Sequence, residues 1–308
     1  MASDVPFSRT GSLHLLATMA ASSTFFNARA SLPSLHLTPD FAAILGSSLG
    51  DSATGSTGAE PEPLIDAVLF LGFLILGAQK AITSENDEVY NNILQRLSLL
   101  SANLPSPVLR YSAHLLTSSI LHLHPQDHFR LASIRDTLEH CPFENLKASA
   151  VGWLKDELLT ADKNAQKTES DTEPLIFATP AALSTLSPFL FPSLDTLIEG
   201  QSTTNSYTTF QAYQAFFLAV LNLLYLLLSS PSLSVPLGLA PSIKADPGHL
   251  SKFLHPLTNA ARRFRTAILS DEIGYSDDEG RDAALASLEL MDMSVQQVEN
   301  VMTQIRNS

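Results

Sequence analysis

The chain has 308 residues, 45% of them apolar, with 18 Lys and Arg against 31 Asp and Glu, for a formal net charge of -13. That length and apolar share allow one or two domains with a sizeable core. The acidic balance argues against direct nucleic-acid binding, and the single cysteine, Cys141, rules out an intramolecular disulfide.

The first 62 residues read as a weakly structured segment. Arg9 and Arg29 among Ser and Ala give the start some likeness to a transit peptide, but Asp4 and two prolines argue against targeting. Gly46 to Pro63, "GSSLGDSATGSTGAEPEP", reads as a linker. From residue 63 to 308 the pattern predicts one helical domain. Helices are expected near 64–82, 86–102, 107–123, 127–140, 143–161, 180–199, 206–229, 248–269 and 281–306. Ser106-Pro107 and Thr179-Pro180 each set a capping hydroxyl before a proline at the first helical position. Ser276 with Glu279 spells a capping box, weakened by Gly280. The one strand-like stretch, "EPLIFATP" from Glu173 to Pro180, is short.

Two apolar runs, 67–78 and 216–228, are shorter than the roughly 20 residues a membrane span needs. They read as buried core helices, and no membrane span is expected. In 107–123 the apolar residues Val108, Leu109, Leu115, Leu116, Ile120 and Leu123 recur at helical spacing. The short turns between 107 and 161 force antiparallel neighbours. The fold class is therefore all-α, with HEAT-like helical repeats (an α-solenoid) expected and a compact irregular bundle as the alternative.

Catalytic patterns are not evident: there is no G-x-S-x-G, P-loop or H-E-x-x-H, and the 13 glycines are scattered. No catalytic residue, cofactor or metal site is expected. His140 beside Cys141 could lower a thiol pKa, but an inert thiol is the plainer reading. His114, His122, His124 and His128 lack metal-ligand spacing and read as helix-surface histidines. The stretch Ser270 to Asp282, "SDEIGYSDDEGRD", carries six acids and reads as a mobile, solvated loop. Within it, Ser276 followed by acids is a candidate phosphosite.

The stretch "CPFENLKASAVGWLKDELL", Cys141 to Leu159, holds the only cysteine and the only tryptophan. Leu146, Ala150, Val151, Trp153, Leu154 and Leu158 form an apolar helix face. Lys147 and Glu157 intrude on it, and Lys155 and Asp156 face away. Gly152 in mid-helix suggests close approach of a neighbouring helix, with Trp153 anchoring the contact.

"LPSPVLRYSAHLLTSSIL" and "RDTLEHCPFENLKASAVGWLKDELL", followed in order by "LIFATPAALSTLSPFLFPSL", "FFLAVLNLLYLLLSS" and "SKFLHPLTNAARRF", resemble the fungal YAP-binding protein family, grouped with glomulin and its plant counterparts. The resemblance covers roughly 86–306 and looks like the C-terminal half of a longer member. Its candidate motif residues, mainly structural in type, are Pro142, Phe143, Asn145, Lys147, Gly152, Trp153 and Lys155. The resemblance implies a non-catalytic, HEAT-like adaptor. Fungal relatives partner a bZIP stress regulator in the peroxide response, one branch is linked to kinetochores, and glomulin blocks the RING subunit of cullin ubiquitin ligases. Three readings follow for this chain: an adaptor in oxidative-stress signalling, a cullin–RING regulator, and a membrane-associated helical protein. A cytoplasmic site is expected, with the nucleus as a second compartment.

Overall fold

The computed structural model describes residues 8–26, 34–49, 60–78, 87–166, 175–246 and 248–307. Among these there is no β-strand. The chain is all-α and divides into two compact units, 1–130 and 131–308, with the boundary inside one helix.

In the first unit, α1 (Arg9–Phe26) and α2 (Ala42–Ser48) lie within the segment expected to be weakly structured. A short π-helical segment, Leu37–Phe41, leads into α2. Leu37, Phe41 and Leu45 are fully buried, and Leu13, Ala17 and Ala20 of α1 are buried as well. Both pieces pack on α3 (Glu62–Ala78), so the break expected at 62/63 is not a domain boundary. Alanine and serine dilute the apolar stripe of α1, which hides it from a periodicity reading. Of the expected linker, 50–59 lies outside the described residues, while Gly46–Ser48 close α2 and Glu62 opens α3.

The helix α3 is apolar nearly all round and is buried accordingly. It packs on α1, on the Leu37–Phe41 segment and on α5 (Pro107–Leu123). The helix α4 (Asp87–Asn103) pairs with α5 across a three-residue turn, which forces the antiparallel arrangement. Ser106 caps α5 by position, with Pro107 at its first turn, but without a side-chain hydrogen bond.

A turn device recurs here. Buried Leu104 precedes Pro105, and Arg110 Nη1 reaches back to donate to Leu104 O at 2.7 Å and Pro105 O at 3.0 Å. At the start of α6 (Asp127–His140), buried His124 precedes Pro125, and Arg130 donates back to His124 O while pairing with Asp127. At the start of α7 (Glu144–Ala165), Cys141 precedes Pro142 at the same spacing, but Lys147 pairs with Glu144 at 3.1 Å instead of reaching back to a carbonyl. Leu109, Phe129 and Leu146 hold the equivalent buried position before each cation.

In the second unit, the run expected as one helix over 180–199 is two: α8 (Pro180–Leu190) and α9 (Leu194–Ile198). Pro192 cannot donate to the ladder, so the helix stops before it. "EPLIFATP" is not a strand: Ile176–Ala178 form a 3-10 turn that buries Phe177. The helix α10 (Thr203–Ser229) is followed by the short α11 (Pro231–Ser234) and α12 (Leu239–Ala245). Gly238, at φ +73°, makes the left-handed turn into α12. The unit ends with α13 (Gly248–Leu269) and α14 (Asp278–Asn307).

Side-chain contacts give the directions of these helices. Lys147 of α7 lies 5.6 Å from the Tyr213 ring, and Asp162 accepts from Ser232 at 3.3 Å, so α7 and α10 run parallel. Gln214 Nε2 donates to Ser287 O at 3.1 Å, and Tyr225 shares a groove with Gln297, so α10 and α14 also run parallel. By contrast Tyr207 meets Phe264 and Phe217 meets Phe253, which sets α13 antiparallel to α10. Three parallel long helices, with α13 reversing between the last two, are consistent with a helical-repeat stack.

By length and composition, α10 and the stretch 180–198 are apolar enough to cross a membrane. In this fold α10 buries Phe210, Phe216, Phe217, Leu221 and Leu224 against its neighbours, while other positions along it, and most of 180–198, are not buried.

Candidate partner-binding surface

The motif residues at 141–159 form a packing helix with a polar outer face. Leu146, Ala150, Val151, Trp153, Leu154 and Leu158 are all buried. Glu157 is buried too, at 5% exposure. Lys147 is half-buried between Glu144 and the Tyr213 ring. Burial, with Glu144 alongside, raises the Tyr213 pKa. Phe143 caps α7 by position, and Pro142, Asn145 and Lys155 are exposed. Lys155 lies 3.9 Å from Asp156, a loose surface pair. Gly152 does not serve a close helix contact: nothing stands within 4 Å of where its Cβ would be. The structure thus places Trp153 and Gly152 on different faces.

The thiol of Cys141 is half-buried and donates weakly to Phe143 O at 3.8 Å. Burial pushes its pKa up, which keeps it as the less reactive thiol.

Among the four histidines, His124 is not a surface residue. It is 1% exposed, stacks on Phe129 at 3.8 Å and meets Tyr90 edge-on at 5.2 Å. Its Nε2 lies 3.5 Å from Asp87 Oδ1, yet burial dominates and lowers its pKa. No group of three or more metal-type ligands occurs among the described residues.

The acidic run 270–282 is anchored over 270–275, while its six acids, Asp271, Glu272, Asp277, Asp278, Glu279 and Asp282, stay exposed to solvent as expected. Ile273 is 5% exposed, and the Glu272 and Ile273 amides donate to Ala267 O at 2.9 and 3.1 Å. Tyr275 donates its hydroxyl to Tyr207 at 2.8 Å, and Gln211 donates to the same oxygen at 3.1 Å. Burial, with Tyr275 next, pushes the Tyr207 pKa far up. Sequence reading missed this anchor, because the apolar residues that hold the run are only Ile273 and Tyr275 among acids. Ser276 remains exposed, with its hydroxyl on Asp277 at 3.3 Å. The expected capping box does not form: Asp277, not Ser276, accepts the Gly280 N–H, at 2.6 Å.

Two grooves along α10 mark the surface of the second unit, beside a smaller one of about 410 Å³ lined by Arg262, Arg263 and Glu272. An apolar one of about 830 Å³ lies between α8, α10, α12 and α13. Leu183, Pro188, Phe191, Leu223, Leu227 and Leu239 are among its apolar lining. Its lining comes from three separate stretches, so no local pattern announces it. The second, of about 570 Å³, lies between α10 and α14. Concave surfaces on stacked helices are the contact surfaces of binding proteins.

Among the described residues these features define an all-helical protein with grooves on its surface. The model of the uncharacterised protein family YAP/Alf4/glomulin matches residues 1–301, and the chain belongs to that family. The match takes in the first 62 residues, so the expected coverage of 86–306 was too narrow. No curated protein matches the chain significantly.

Proposed function

We propose that the chain is a non-catalytic adaptor that binds a bZIP stress regulator in the cellular response to peroxide. It would work in the cytoplasm and also in the nucleus. Membership of the YAP/Alf4/glomulin family carries this reading. The net charge of -13 supports it, because the basic region of a bZIP protein complements an acidic surface. The raised Cys141 pKa fits a role as partner rather than as the peroxide-sensing thiol. An interface of standard size would bury roughly 1,600 Å².

Kinetic binding to a bZIP stress regulator across a salt series tests the proposal. Charge steering speeds encounter more than it holds the complex. Association should therefore slow as salt rises, since screening shortens to about 8 Å at physiological ionic strength. Dissociation should change little. The family description also includes glomulin, which favours a second reading as a cullin–RING regulator. A RING subunit run in parallel separates the two: binding to it alone promotes the second, and binding to neither rejects both.

A further inference from the structure

We propose that the groove between α10 and α14 binds an uncharged, extended segment of a partner protein, chiefly through that segment's peptide backbone. This goes beyond the adaptor reading, since it concerns a neutral surface whose binding should be nearly indifferent to salt.

The first observation is the charge pattern. Charged residues make up 16% of the chain, yet the 27 residues of α10 include none. This holds on its exposed face as well as its buried one: Gln211, Ala215, Asn222, Tyr225 and Ser229 all reach solvent. Beside it, α14 exposes Ala286, Leu290, Met293, Gln297, Asn300 and Gln304 at helical spacing, again without a charge. Leu290, Met293 and Tyr225 are 46%, 48% and 43% exposed. Depletion of charge with exposed Tyr and Met is the composition of an interface centre.

The second observation is unspent hydrogen bonding. Gln297, Asn300, Gln304 and Tyr225 line the groove with Leu228 and Val301. None of those four polar side chains is hydrogen-bonded to another described residue. An amide side chain both donates and accepts, as a peptide backbone does. Amides one helical turn apart along α14 can therefore satisfy an extended chain lying beside them, while Leu228 and Val301 receive an apolar side chain.

The same lining selects against other occupants. A phosphate, carboxylate or basic segment would lose water here without an opposite charge to meet. A lipid chain would strip water from three amides and give nothing back.

The test is selection of a random peptide library on the full chain, followed by affinity measurement on synthetic winners. The expected winners have cores without charge, and their affinity changes less than about twofold from low to high salt. The double variant Gln297→Ala/Gln304→Ala should weaken them about tenfold or more, the scale of a binding hot spot. These side chains are exposed, and circular dichroism would check that the fold is kept. Asn300→Asp, which adds a charge without changing shape, should weaken them as well. Winners rich in charged residues, affinities blind to both variants, or no winner at all would overturn the proposal. So would flotation with neutral phosphatidylcholine vesicles, or self-association that both variants abolish, which would make the occupant a membrane or a second copy. No bZIP or RING protein is used, so failure here and failure of the adaptor reading are separate results.

Discussion

Asp277 closes the N-terminus of α14 because its carboxylate lies where the Gly280 N–H points, while Ser276 turns its hydroxyl to Asp277. Asp277→Ala should therefore cost about 1 kcal/mol, the usual worth of such a cap. Ser276→Ala should stay within about 0.5 kcal/mol, as exposed changes do. Chemical denaturation of the two variants checks the order, and a larger loss from Ser276→Ala would restore the capping box. His124 sets a pH dependence. Burial holds it neutral in the fold, and its unfolded pKa lies near 6.5. Below about pH 6.5 the unfolded chain therefore binds a proton that the folded chain resists, and stability falls with pH. Asp87 opposes this effect and Arg130 adds to it, and both face the ring. Denaturation midpoints should fall between about pH 7 and pH 5, and His124→Gln should flatten that slope. An unchanged slope in the variant would place the titration elsewhere. The role of His124 could not be read locally, since burial depends on what lies opposite; the Asp277 cap is a local contact, and it was hidden only because the helix starts one residue later than the capping-box pattern implies.

Among the helices, two glycines with similar sequence settings have opposite tasks. At Gly72 of α3 an added Cβ would stand 2.6 Å from Leu116 and 2.7 Å from Phe41, both fully buried. Overpacking of that kind costs about 1–3 kcal/mol and outweighs the roughly 1 kcal/mol that Ala gains in helix propensity. Gly152 of α7 meets nothing within 4 Å, so only the gain remains. Gly72→Ala should destabilise the chain and Gly152→Ala should stabilise it by up to about 1 kcal/mol, as thermal or chemical unfolding would show. The same sign for both would refute the packing account. The helices with a full apolar stripe, such as α5 and α7, were legible because 3.6-residue spacing is local. The start of the chain was not legible, since Ala17 and Ala20 bury well but add little to a periodic pattern. The recurring turn at Leu104, His124 and Cys141 was overlooked because Leu, His and Cys share burial or position rather than chemistry.

Taken whole, the chain carries two cores, and the only tryptophan lies in the second. Trp153 is 4% exposed, so its fluorescence reports the second core alone, while far-ultraviolet circular dichroism reports both. Cores of different composition should unfold at different denaturant concentrations, giving two midpoints by the two probes. Coincident curves would show a single cooperative unit. The sequence by itself determined the helical class, most helix positions, the acidic balance and the likeness to the family, because each depends on local spacing, summed charge or a contiguous motif. The tertiary structure alone decided where the boundary between units falls, that Ile273 and Tyr275 anchor the acidic run, that His124 is core, and which faces of α10 and α14 are free. Each of those depends on residues 60 or more positions apart, or on an opposing surface, and no periodicity within one helix encodes what packs against it.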